Sequence, residues 1–278
     1  MNKLNRKIYL SIFERYILVK VNSEELYKMI CHVYGAMITQ KPECEPHLSY
    51  LLNKIDNDNM SITNVGDNLH SVTSTISELL FLFEKDMTIE LQKIRSDLLF
   101  IHSAALSIGG EVILLVAPSG SGKSTTAWAM INSGFKYLSD ELAPIDLDSL
   151  TITPYPHALC LKAIPPLFNL PEDTLYTSHT IHVPIKQYCD FNVSSLKAIF
   201  YLEFNAEILE PEIYSISTAE ATANLYANSL NILAHNENDN GLNAAVNVAS
   251  RVENYRLVSN KLDKTCLKIK SLIESINS

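Results

Sequence analysis

The sequence predicts an α/β protein in two segments, a small α+β module over residues 1–96 and a larger α/β domain over residues 97–278. Three observations lead to it. The apolar run Val112–Val116 passes directly into a loop of small residues and then a helical pattern. Near Asp97 the pattern turns from mixed periodicity to closely spaced strands, which marks a boundary. Apolar residues then recur at helical spacing through the C-terminal part of the chain. At 278 residues, 47% of them hydrophobic, the chain can bury one large core or two smaller ones.

Along the first segment, Ile8–Val21 is rich in β-branched and aromatic residues and predicts a strand. Asn22 with Glu25 three positions on predicts a capping box, opening a helix that runs to about Met37. Loop-like Gln40–Pro46 follows, then short strands near Leu48–Ile55 and Ser61–Val65, then a helix over Val72–Lys93. Nothing in this segment carries a chemical motif. In the second segment, strands Leu98–Ile108 and Glu111–Val116 are joined by Gly109-Gly110, which suits a hairpin turn. A helix from Lys123 ends before Gly134, and a short strand covers Phe135–Ser139, completing a β-loop-α-β unit. Further strands are expected at Leu142–Leu147, Thr151–Tyr155 and Ala198–Phe204, with a proline-punctuated stretch over Pro165–Pro184. Helices over Thr218–Leu233, Leu242–Val258 and Leu262–Ile276 close the chain.

The chemistry concentrates in Ala117-Pro118-Ser119-Gly120-Ser121-Gly122-Lys123-Ser124-Thr125. This is a P-loop pattern between a strand and a helix, with Ala117 in the place of the usual first glycine. Alanine fits there only where φ is not positive. Gly120 and Gly122 let backbone N–H groups approach phosphate oxygens, with Ser119, Ser121 and Thr125 beside them. Lys123 reaches the outer phosphates of a nucleotide such as ATP, and Ser124 offers its hydroxyl to Mg2+. The plain alternative is a Ser/Gly-rich turn that happens to contain lysine. Against it, five of the eight glycines fall between Gly109 and Gly134. Asp140-Glu141 ends the next strand, and in a parallel β-α-β unit that end returns to the edge of the sheet that bears the loop. One carboxylate then suits the metal and the other an attacking hydroxyl. An ordinary acidic turn is the alternative.

His102, the loop ending Gly122-Lys123-Ser124 and the pair Asp140-Glu141 together resemble the kinase domain of HPr kinase/phosphorylase. The short interval from Lys123 to Asp140 distinguishes that family. The similarity spans Phe100–Leu147 and, weakly, Leu159–Phe204; residues 1–95 show none. The resemblance implies an ATP- and Mg2+-dependent kinase acting on a serine hydroxyl. Asp140 and Ser124 would hold the metal, Glu141 would serve as base, and His102 would stand near the pair. The family places Asp where this chain has Glu141, one methylene longer. Members that also remove the phosphate carry Glu-x-Arg-Gly downstream, where this chain reads Cys160-Leu161-Lys162-Ala163. Kinase activity without efficient phosphorylase activity is therefore implied. Lys162, and Lys186 in Val183-Pro184-Ile185-Lys186, are candidate phosphate contacts or plain surface lysines. With a different first segment and Leu159-Cys160-Leu161-Lys162 downstream, the chain looks like the shorter members of that family, some of which accompany clusters making ribosomal peptides, so the implied acceptor is a peptide or small protein, and a homo-oligomer is allowed. The rival classes are a nucleotide-binding regulator or slow NTPase, a phosphoenolpyruvate carboxykinase-like enzyme, and an interaction module with a vestigial loop.

A formal net charge of −9 with no basic run argues against nucleic acid as partner. Every apolar run falls short of the roughly 20 residues that span a membrane. Glu14 and Arg15 break the stretch behind Lys3, Arg6 and Lys7 before it could serve as a secretory signal core. The five cysteines, Cys31, Cys44, Cys160, Cys189 and Cys266, lack paired spacing and suggest reduced thiols in a cytoplasm. His179 and His182 read as loop histidines, and the lysines of 261–270 as a solvated helix face.

Overall fold

The computed structural model of the protein describes residues 5–67, 69–231 and 240–276. Its residues gather into two compact units. The first comprises Met1–Arg95, Tyr155–Ala163 and Pro171–Lys186; the second comprises Ser96–Pro154, Ile164–Leu170 and Gln187–Ser278. Two stretches that the sequence assigns to the second segment thus belong to the first unit.

The chain opens on an antiparallel hairpin of β1 (Arg6–Ile12) and β2 (Arg15–Val21). Phe13 and Glu14 make its turn with positive φ, so the expected single strand Ile8–Val21 is two. Ser23, not Asn22, caps α1 (Glu24–Val33), its hydroxyl accepting from the Leu26 amide at 3.2 Å. There follow β3 (Ile38–Thr39), β4 (Leu48–Lys54), β5 (Met60–Asn64) and β6 (His70–Thr73). These form a six-stranded sheet in the order β3-β1-β2-β4-β5-β6. Helix α2 (Ile76–Ile94) starts at its Thr75 cap, later than expected, because His70–Thr73 pairs with β5 instead. Leu79, Phe83, Met87 and Leu91 recur at four-residue steps and are buried along one side of α2. Phe83 meets both Tyr34 and Tyr50 edge-on, at 5.5 and 5.0 Å between ring centroids.

In the second unit, β7 (Leu98–Ile101) and β8 (Ser103–Ile108) are separated only by His102. Then come β9 (Glu111–Val116), α3 (Lys123–Asn132), β10 (Lys136–Ser139), β11 (Ala143–Asp146) and β12 (Thr151–Ile152). The chain next visits the first unit with β13 (Leu159–Leu161), β14 (Leu175–Tyr176) and β15 (Ile181–Val183), a three-stranded sheet of which β14 and β15 lie inside the stretch expected to be irregular. The Ala158 amide donates to the Val33 carbonyl at 2.7 Å and Tyr155 packs on Phe13, which ties this excursion to the opening hairpin and α1. His182, expected in a loop, is buried in β15 at 5% exposure, while His179 is exposed.

The second unit resumes with β16 (Ser194–Phe204), β17 (Glu212–Ser215), α4 (Thr218–Ala227), α5 (Asn240–Arg251), β18 (Glu253–Ser259) and α6 (Leu262–Ile276). Residues 253–259 correct the expectation of one helix over Leu242–Val258: they pair in parallel with β16, Ala198 opposite Glu253 through Phe204 opposite Ser259. Helix α4 ends at Ala227, and residues 232 and 233, assigned to it from sequence, lie outside the described residues, as does Lys3. The large sheet runs β10-β8-β9-β16-β12-β11-β7, with β18 also beside β16. Strand β7 at one end of that order and β8 near the other are joined through His102 alone, so the sheet curls on itself. Strand β9 is buried from Val112 to Val116 and pairs in parallel with β16, which explains its unbroken apolar run. Burying each such side chain stabilises by roughly 1.5–3 kcal/mol before conformational entropy is charged. Val112, Leu114 and Val116 of β9 and Leu196, Ile199 and Tyr201 of β16 join Leu225 of α4 and Val248 of α5 in one core cluster, while α3 packs beside α6.

Candidate functional site

The loop that follows β9 is shaped by two glycines. Ser121 closes a turn back to the Pro118 carbonyl at 3.3 Å, and Gly120 and Gly122 take φ of 86° and 89°. A Cβ at either glycine would meet nothing within 4 Å, so the requirement for glycine is one of dihedral angle, not space. Ala117 is not among the residues with positive φ, and its Cβ is tolerated in the first-glycine position. Gly122 is also the N-cap of α3 and supplies no side-chain hydrogen bond, whereas Ser23, Thr75 and Ser217 cap α1, α2 and α4. The first-turn amides of α3 are thus presented at the helix's partially positive end. Lys123 is 7% exposed, and its Nζ donates to the Ala117 carbonyl at 2.7 Å, bridging the two ends of the loop. Ser121, Ser124 and Thr125 are half-buried around it, and Ser119 is exposed at the tip.

Strand register sets what stands beside this loop. Strand β8 is antiparallel to β9, with Ser103 opposite Val116, and antiparallel to β10, with Ala105 opposite Ser139. Strands β9 and β10 therefore run in the same direction and end at one edge of the sheet, where β8 begins. His102 immediately precedes β8 and Asp140-Glu141 immediately follows β10, so all three residues share that edge with the loop. The His102 Nε2 lies 3.4 Å from a Glu141 carboxylate oxygen, with side-chain exposures of 28% and 46%. Asp140 is 1% exposed, and its carboxylate accepts a 2.6 Å hydrogen bond from the Tyr137 hydroxyl. The Ser139 hydroxyl accepts from the amides of Glu141 and Leu142 at 3.3 and 3.1 Å, which fixes the acidic turn.

Sequence reasoning does not single out Tyr137 or Ser139. A register shift between them leaves Leu138 as an extra residue against β8, the kind of bulge that re-aims a strand end. The one legible hint is a tyrosine and a serine in a four-residue strand leading to two acids. Lys162 and Lys186 are not part of this edge's strands: both are exposed and belong to the first unit. On α6, Lys264 pairs with Glu210, and Lys268 donates to the Pro211 carbonyl at 2.6 Å.

No family model matches the chain, and no curated protein matches it. Among solved structures, the chain is similar to the Hpr(Ser) kinase/phosphatase from Coxiella burnetii at 13% identity, over 64% of this chain and 95% of that one, with a TM-score of 0.36. Similarity at that level bears on neither activity nor substrate. Among the described residues no helix is long and apolar enough to cross a membrane.

Proposed function

We propose that the protein is a P-loop kinase of the HPr kinase type, transferring the terminal phosphoryl group of ATP to a serine hydroxyl of a peptide or small protein. One observation carries this reading: β8, β9 and β10 bring an uncapped, doubly glycine-turned loop, an imidazole and an acidic pair to the same edge of one sheet. Phosphoryl transfer asks chiefly for positioning and neutralisation of charge. In the proposed reaction the loop amides and Lys123 hold the phosphates. The serine oxygen attacks the γ-phosphorus, the bond from that phosphorus to the β,γ-bridging oxygen breaks, and ADP leaves. Glu141 receives the hydroxyl proton, and His102, 3.4 Å away, orients the carboxylate.

Ser124 and Asp140 fit magnesium by the chemistry of their donors, since both offer oxygen and a buried carboxylate is a group that a cation neutralises. Bound magnesium would shield the phosphate charges and fix their orientation. Lys162 and Lys186 stay candidate phosphate contacts by analogy alone, and the peptide acceptor rests on the sequence resemblance.

The test is transfer from labelled ATP with Mg2+ to peptides encoded beside the gene, comparing wild type with Lys123→Ala and Glu141→Gln. Transfer to serine is expected, with Glu141→Gln slower by about 10²- to 10⁴-fold and Lys123→Ala deficient in nucleotide binding. Nucleotide binding without transfer to any peptide, serine or small hydroxylated compound would replace this reading with that of a regulator or slow NTPase.

A further inference from the structure

We infer that the nucleoside half of the nucleotide lies in the cleft between the loop and α6, and that the protein holds the base by stacking on Phe204 instead of reading its hydrogen-bonding edge. This inference rests on the nucleotide reading above. The cleft has a volume of about 230 Å³ and begins at Ser121, Gly122 and Thr125, on the phosphate loop itself. It continues over the ends of β16 and β18 to the first turn of α6. The strand registers explain why a ligand would extend this way. Strands β9, β16 and β18 are parallel neighbours, and Tyr201 of β16 stands opposite Val116, the last residue of β9. Leu202, Glu203 and Phe204 therefore project past the point where the loop departs, at the carboxyl ends where open parallel sheets receive ligands.

The chemistry of the lining favours a flat, largely apolar group. Leu202, Leu257 and Leu262 supply apolar surface, and Phe204 is the aromatic residue among the lining groups. Phe204 is 67% exposed, so its ring is accessible to a ligand in the cleft. The side-chain donors at the α6 end of the cleft are already spent. Ser259 and Thr265 bond to each other through their hydroxyls, and Thr265 donates to the Lys261 carbonyl at 2.7 Å. The Asn260 amide nitrogen donates to the Ala206 and Ile208 carbonyls at 3.2 and 2.5 Å. Those two acceptors fix the orientation of the amide; its oxygen has no hydrogen-bond partner, but it is shielded from solvent and so closed to a ligand in the cleft as it stands. Glu203 stands exposed at the rim, where water competes for its carboxylate. A site without committed edge contacts discriminates weakly between ligands that differ only in polar groups, and stacking accepts any base.

The experiment is calorimetric titration of wild type, Phe204→Ala and Lys123→Ala with ATP, GTP and inorganic tripolyphosphate, each with Mg2+. ATP and GTP should bind wild type with affinities within about tenfold of each other, and both more tightly than tripolyphosphate. Phe204→Ala should weaken both nucleotides by about tenfold or more while leaving tripolyphosphate unchanged. Because Phe204 is exposed, its removal should leave the fold intact, which the thermal midpoint checks. A preference beyond about 100-fold for either purine, or nucleotide affinity untouched by Phe204→Ala though lost in Lys123→Ala, overturns the inference and spares the nucleotide reading. Failure of wild type to bind any of the three phosphates overturns both.

Discussion

Gly120 and Gly122 illustrate how a single dihedral angle can set the cost of a substitution. A methyl group at Gly122 would meet nothing within 4 Å, so at a φ of 89° Gly122→Ala would suffer only the left-handed backbone penalty. The expected loss is about 1–2 kcal/mol of stability, read as a lower urea midpoint, together with weaker binding of the proposed nucleotide. Ala117→Gly, at a position without positive φ, should cost less than about 1 kcal/mol, through added freedom of the unfolded chain. The loop was legible in the sequence because its requirements are local: small residues, two glycines and a lysine between a strand and a helix. The partners of the acidic pair were not. The Tyr137–Asp140 hydrogen bond accompanies an irregular pairing of β10 with β8, and such a register is a property of two strands together, which residues 136–139 alone do not display.

At the level of elements, β15 shows how burial converts an ordinary side chain into a pH-dependent one. The His182 imidazole is pulled down to about 4, first by burial and then by the nearby His157 and His32, with the Cys160 sulfur 3.6 Å from its Nδ1. The folded protein holds it neutral, while the unfolded chain takes up a proton near the ordinary value of 6.5. Its contribution to stability is therefore complete above pH 6.5, declines as pH falls from there towards 4, and changes no further below that. The ceiling on this loss is about 3 kcal/mol. Urea midpoints measured from pH 7.5 to 4 should fall more steeply for wild type than for His182→Gln; parallel profiles would rule the effect out. The sequence showed His182 only as one of two histidines three residues apart, since β13 and β15 are short and owe their existence to pairing across some twenty residues of chain. The same limit explains residues 253–259. Their apolar spacing continues that of α5, and only the parallel register with β16 makes them a strand.

Across the whole molecule, the division near residue 96 was visible as a change of pattern, yet neither unit is one continuous piece of chain. Tyr155–Ala163 and Pro171–Lys186 return to the first unit through pairings that no local signal announces. The corner at His102 carries a related consequence for the order of assembly. Strands β8 and β9 close over Gly109-Gly110, with Ile108 opposite Glu111, whereas β7 pairs with β11 far along the chain, from Ile101 opposite Ala143 to Leu98 opposite Asp146. Local closure is entropically cheaper and faster, so the hairpin should be protected before the seam between β7 and β11. Pulsed hydrogen exchange during refolding should find β9 amides protected ahead of those of β7; simultaneous protection would refute this order. The imidazole of His102 adjoins the slower closure and the glycine loop after β9 the faster one. On the proposed function, a half-assembled chain would acquire a grip on phosphate before it acquires the pair that spends it, and an immature protein would be idle, not wayward.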